Sequence, residues 1–211
     1  KFRSTFQGDP PKRSDIMHTL RLGLPGSSMP SFISIPESDL QALAEYVLSL
    51  SGFEEAAEEF PEFPATIPPS TKAWITKGKA AYLKYGCNKC HGDNGDGKGE
   101  SAPTLKDHKK RPIRPNDYTR GVFKGGGDPR SIITRILTGI EGTPMPSHAD
   151  TVEKQEDLIA LAHYVRQFSR GRDFWQPGTG VIPVRRIQGG VPTQANDMRW
   201  ARVIPTSIPM M

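Results

Sequence analysis

At 211 residues the chain has room for one or two domains. Its 21 glycines, 20 prolines and few aromatics (8%) describe a loop-rich protein whose core needs more than its own side chains, and no apolar run reaches bilayer-spanning length. The net charge of +5 favours an acidic partner surface, while the lack of a basic–aromatic platform argues against nucleic-acid binding.

Lys1-Phe2-Arg3 opens no apolar h-region of a signal peptide, so the start reads as a mature or trimmed end. An internal repeat follows. Residues 16–31 read IMHTLRLGLPGSSMPS and residues 132–147 read IITRILTGIEGTPMPS. At a constant offset of 116, Ile16, Gly23, Gly26, Met29, Pro30 and Ser31 meet Ile132, Gly139, Gly142, Met145, Pro146 and Ser147. Two residues are then added in the second copy, and LQALAEYV from Leu40 matches LIALAHYV from Leu158. Helix, loop, Met, loop and helix thus occur twice. Leu40, Leu43, Val47 and Leu50 form an apolar stripe at helical spacing, as do Leu158, Leu161, Val165 and Phe168. Both stripes are expected to pack into core. Ser38-Asp39 and Glu156-Asp157 are expected near the helix starts as caps.

Residues 53–70 read as an acidic, Pro-rich linker, with Glu54, Glu55, Glu58, Glu59 and Glu62 beside Pro61, Pro64, Pro68 and Pro69. From Thr71 a helix is predicted to run to about Tyr85, with Trp74, Ile75, Gly78, Tyr82 and Tyr85 on one face. A helical glycine costs about 1 kcal/mol against Ala. Close contact with another helix would justify Gly78, and Tyr164 is the expected partner.

Next comes Cys87-Asn88-Lys89-Cys90-His91, which holds the only two cysteines. C-x-x-C-H is the attachment pattern for a covalent c-type haem. Two thiols one helical turn apart can add to the two vinyl groups on one porphyrin edge, and the following imidazole can then bind iron. A structural zinc site, which needs four ligands, and a thioredoxin-like pair, which needs a strand before its helix, are the weaker readings. With both cysteines on haem, no disulfide forms. Covalent haem attachment is normally completed outside the cytoplasmic membrane, so a periplasmic or otherwise exported location is expected. The glycines after His91 match neither a calcium loop nor a dinucleotide fingerprint, and they are expected to pass close to a flat ligand. Residues 106–124 carry Lys106, Lys109, Lys110, Arg111, Arg114, Arg120 and Lys124 against Asp107 and Asp117, a stretch suited to an acidic partner or to anchoring propionates.

The order of these parts over 71–170 resembles a class I cytochrome c domain. The resemblance implies an all-α bundle round haem, with His91 the proximal ligand, Met145 the distal one, and the Pro103 carbonyl accepting the other His91 ring proton. His108, His148 and His163 are other imidazoles that could serve, His163 being expected at the surface. Residues 1–52 resemble the C-terminal half of such a domain. They contain Met29 but no C-x-x-C-H, and His91 precedes Met145 by 54 residues, a distance that reaches before residue 1 when counted back from Met29. A second haem c at Met29 is therefore expected, with its attachment motif outside this sequence. Residues 171–211 are expected to be irregular or β-like. Asn196-Asp197, Trp200 and Ile208-Pro209-Met210 resemble the start of the haem b domain of the ethylbenzene dehydrogenase electron-transfer subunit group, which implies a haem b site.

The expectation is a tandem, dihaem cytochrome c. It is not itself an enzyme, and acts as a carrier or as the electron-transfer subunit of a periplasmic oxidoreductase complex. His/Met ligation leaves no open iron position and raises the potential. A dihaem peroxidase-like enzyme or a structural haem subunit are the alternatives.

Overall fold

The computed structural model describes residues 2–6, 8–52 and 63–169, and the backbone alone of 181–185 and 198–202. Up to residue 169 the described regular structure is helical: α1 Arg13–Leu22, α2 Glu37–Ser51, α3 Lys72–Lys84, α4 Cys87–His91, α5 Pro129–Thr138 and α6 Gln155–Gln167, with short 3₁₀ turns at Ala102–Thr104 and Tyr118–Arg120. Two five-residue strands, β1 Val181–Arg185 and β2 Met198–Arg202, pair antiparallel with Val181 opposite Arg202. Most of the acidic linker, residues 53–62, lies outside the described residues, as does the rest of the tail that resembles a haem b module.

Helix α3 starts where Thr71 Oγ1 accepts from the Trp74 N–H at 3.3 Å, one of the donors a first turn leaves open. Its packing partner is α6. Gly78 sits at the crossing, where a Cβ would lie 2.6 Å from Tyr164 Cβ and press on the Ala160 carbonyl. The glycine therefore lets two backbones approach, as its position in the helix predicts. Below it Tyr82, Tyr164 and Phe168 form an edge-to-face cluster with centroids 4.9–5.6 Å apart. With Ile133, Leu137, Leu158 and Leu161 they make the main core. At the rim, the buried Asp157 accepts from Tyr85 Oη at 2.7 Å and lies between Lys77 and Lys84.

The repeat is one of atoms as well as letters. After α1, the Leu24 N–H donates to Met29 O at 3.1 Å, and after α5 Ile140 does the same to Met145 O at 3.1 Å. The Met29 N–H donates to Ser27 Oγ at 3.2 Å, and that of Met145 to Thr143 Oγ1 at 3.2 Å. Ser31 Oγ donates to Arg21 O at 2.5 Å, and Ser147 Oγ to Leu137 O at 2.5 Å. Gly23 and Gly139 hold φ of 64° and 65° with the chain of the Met loop folded against them: a Cβ on either would lie 2.6 Å from the backbone carbon of Pro30 or Pro146. Only glycine takes that backbone beside so close a neighbour. The first unit rests on the second through Arg3, whose carbonyl accepts from Arg135 Nη2 at 2.5 Å and whose guanidinium pairs with Glu141 at 2.6 Å.

Three local expectations are corrected. The N-caps of α2 and α6 are Pro36 and Lys154, without side-chain caps, so Ser38-Asp39 and Glu156-Asp157 lie inside the first turns. There the acidic residues still favour the positive helix end. Within the apolar stripe of α2, Leu40 is buried but Leu43, Val47 and Leu50 are exposed, because among the described residues nothing covers that side. His163 is buried rather than at the surface, with Nε2 donating to Pro68 O at 3.0 Å.

Candidate haem-attachment site

Helix α4 is a single turn that holds the whole pentapeptide. Gly86, at φ 70°, breaks the chain between α3 and α4, so Cys87 opens a helix of its own. Cys87 and Cys90 are both free thiols, half-buried and one turn apart. Burial pushes the Cys87 thiol up to about 11, so it stays protonated at neutral pH. Cys87 also packs against the main core, which fixes one end of the pair.

The polar ends of α4 are tied to the glycine loop that follows. The Gly97 N–H donates to His91 O at 2.9 Å, that of Gly99 to Cys90 O at 3.1 Å and that of Ser101 to Lys89 O at 2.9 Å. A Cβ on Gly99 would lie 2.5 Å from Asn88 O. At Gly95, φ is 68° and a Cβ would lie 2.6 Å from Phe168 Cγ. The glycines thus serve close passage over the α4 backbone and over an aromatic ring. They also satisfy the carbonyls that a helix end leaves open. Tyr82 Oη adds a donated bond to the buried Gly92 O at 2.8 Å, anchoring the exit of α4 to the core.

His91 is held neutral. Burial lowers its pKa to about 4, partly opposed by the Asn116 backbone, with His148 nearby also disfavouring the charge. A neutral imidazole is the form that ligates a metal. Its Nδ1 is buried and makes no hydrogen bond of normal geometry. Tyr118 stacks on the ring with centroids 4.8 Å apart and an interplanar angle of 22°, and its Oη lies 3.3 Å from Nε2. The Tyr118 N–H donates to Gly95 O at 2.8 Å, and Phe123 also stacks on the Tyr118 ring, with centroids 5.4 Å apart. Tyr118 is the neighbour that sequence reasoning missed. The only local signal is Asp117, whose side chain accepts from the Thr119 N–H and starts the short turn.

The donor set suits a covalent haem: two thiols on one turn, then a neutral imidazole with an unpartnered buried nitrogen. Pro103 is exposed in the 3₁₀ turn Ala102–Thr104, and no hydrogen bond from it to His91 is seen among the described residues. Met145 is half-buried in the loop after α5, and Met29 is half-buried in the matching loop after α1. The His148 N–H, donating to Ile136 O at 2.9 Å, keeps that imidazole beside the Met145 loop. His108 is exposed, with its Nδ1 donating to Gly142 O at 3.1 Å. Within residues 106–124, Arg111 is occupied by Asp107, whose Oδ2 accepts from Nε at 2.8 Å, while Lys106, Lys109, Lys110, Arg114, Arg120 and Lys124 are exposed.

Comparison with known proteins agrees with this chemistry. The family described as Cytochrome c matches residues 75–169. No curated protein matches the chain. Among solved structures, a chain of the reducing HAO-like protein complex Kustc0457/Kustc0458 of Kuenenia stuttgartiensis is similar at 32% identity and a TM-score of 0.71, over 81% of this chain and 78% of that one.

Proposed function

Residues 75–169 form a domain of the cytochrome c family, and we propose that the chain transfers electrons through a haem c joined to Cys87 and Cys90, with His91 and Met145 on the iron. The observation that carries the proposal is the one-turn helix that joins two free thiols to a buried, neutral imidazole. When bound, the haem supplies reversible one-electron exchange between two iron states. The chain's residues do the rest. Cys87 and Cys90 would hold the haem as thioethers, each S–H adding across one vinyl group so that the sulfur bonds one vinyl carbon and the proton goes to the other. His91 offers a ring nitrogen without first losing a proton. The straps from Gly97, Gly99 and Ser101 keep α4 from unwinding. The same straps hold the turn that carries Pro103 beside α4, which supports its carbonyl as acceptor for the unpartnered Nδ1. The loop that carries Met145 is fixed by Gly139, Thr143 and Ser147, and prolines on both sides restrict its backbone.

The matched bonding of the Met29 loop supports a second haem c at Met29. The likeness to a protein complex favours an electron-transfer subunit over a free carrier. The exposed cations of residues 106–124 suit an acidic docking surface on the partner. Covalent haem implies export, and no helix among the described residues is long and apolar enough to cross a membrane. The test is redox titration of the purified protein by visible absorption. A reversible low-spin spectrum that is lost in Cys87→Ala/Cys90→Ala supports the proposal. A protein with no redox-active haem band refutes it.

A further inference from the structure

The two Met loops open on the same turn, built from different residues. In the Met29 loop the Ser27 N–H donates to Leu24 O at 3.0 Å, with Gly26 at φ 74°. In the Met145 loop the Thr143 N–H donates to Ile140 O at 3.1 Å, with Gly142 also at φ 74°. Positive φ at the third residue marks a type II turn, which favours proline at the second. The first copy has Pro25 there, and the second has Glu141. Proline fixes its own φ, a restraint that glutamate lacks.

The Glu141 side chain supplies a different restraint. It accepts from Arg3 Nη2 at 2.6 Å and from the Gly8 N–H at 3.2 Å, both on Oε2. Arg3 is itself anchored on α5, where its carbonyl accepts from Arg135 Nη2 at 2.5 Å and from Thr138 Oγ1 at 3.3 Å. The Arg3 side chain is 14% exposed, so water screens this pair less than one between two surface residues. The other side of the turn is held at Gly142, whose carbonyl accepts from the His108 N–H at 3.2 Å and from His108 Nδ1 at 3.1 Å. The turn is joined to the Met145 backbone, because the Ile140 N–H donates to Met145 O at 3.1 Å. A movement at Glu141 therefore reaches the residue that carries the sulfur.

We propose that residues 3–8 of the first unit hold Met145 on the haem iron of the second, with Arg3 and the Gly8 N–H clasping Glu141 in place of the proline that stiffens the matching turn. The inference rests on Met145 as the distal ligand. It makes Arg3 and Glu141 positioning residues, and it makes the potential of one unit depend on the other.

The test uses the haem-loaded full-length protein in its ferric state, with imidazole as the added ligand. Imidazole reaches the iron only after the sulfur leaves, so its limiting binding rate reads the opening of the Met145 loop. Arg3→Ala and Glu141→Gln are each expected to raise that rate on the order of threefold to tenfold, the factor carried by one half-exposed charged hydrogen bond. Both should weaken the sulfur-to-iron charge-transfer band and lower the potential, since Met ligation raises it. Glu141→Pro, which copies Pro25, should restore the parental rate in the Arg3→Ala background. Parental rate, band and potential in Arg3→Ala and Glu141→Gln overturn the proposal, even if Tm falls. A rate that stays raised with Glu141→Pro overturns it as well. Met145→Ala separates the two ideas. If that variant keeps the parental spectrum and potential, the ligand reading fails and the clasp with it. If it loses them while the clasp variants match the parent, the ligand stands and the clasp alone is overturned.

Discussion

Gly78→Ala sets two known effects against each other. Alanine in a helix interior gains about 1 kcal/mol over glycine, so propensity alone predicts a more stable protein. The crossing predicts the opposite. The new Cβ would lie 2.6 Å from Tyr164 Cβ, whereas ordinary contacts begin at 3.4 Å, and its other close neighbour is the Ala160 backbone. Backbone cannot swing aside, so α3 and α6 must part by several tenths of an ångström. Overpacking of this kind costs about 1–3 kcal/mol. Parting the helices also weakens the Tyr82–Tyr164 edge contact, with such pairs contributing about 0.5–1.5 kcal/mol. The net expectation is a loss of about 1–3 kcal/mol, which for a domain of this size lowers Tm by roughly 4–8 °C per kcal/mol. Thermal unfolding of the haem-loaded variant, followed by circular dichroism, reads it directly. A Tm equal to or above that of the parent would refute the argument that close helix approach requires Gly78.

Tyr82→Phe removes the donor to the buried Gly92 carbonyl and should cost about 1–3 kcal/mol in denaturant titration; an unchanged midpoint would mean that the carbonyl finds another donor. Met145→Ala should open the iron to added ligands and lower its potential, as read by spectroscopy with cyanide or imidazole and by potentiometry, and a parental spectrum and potential would assign the distal ligand elsewhere. Lys109→Glu with Lys110→Glu should slow electron transfer to the native partner far more at low salt than at high salt, because charges beyond a Debye length of about 8 Å are screened at physiological strength. Equal slowing at both salts would place the effect outside docking.

What the sequence made legible were features with strict local chemistry. The pentapeptide favoured haem attachment over a zinc or thiol-redox pair because a histidine follows the second cysteine directly and no second cysteine pair exists. Gly78 declared a close crossing because glycine in a helix needs a reason. The repeated Gly, Gly and Met-Pro-Ser positions carried the loop geometry, since positive φ at Gly23 and Gly139 and the serine bonds to α1 and α5 depend on those residue types. Long-range features were not legible. Tyr118 reaches His91 only because the chain returns over Gly95, and no spacing encodes that return. The stripe on α2 shares three of its four letters with that on α6, but α6 is covered by α3, and periodicity cannot report which stripe is covered. His163 looked polar and therefore external. Its bond to the Pro68 carbonyl comes from the chain ahead of α3, far away in sequence.

The central claim is that Cys87 and Cys90 hold the haem through which the protein exchanges electrons. Peptide mass spectrometry of the natural protein after proteolysis tests it most directly. The fragment that contains residues 87–91 is expected to carry the mass of one haem, resistant to extraction with acidified organic solvent, with neither thiol open to alkylation. Recovery of that fragment without added mass, with both thiols alkylated, would contradict the account.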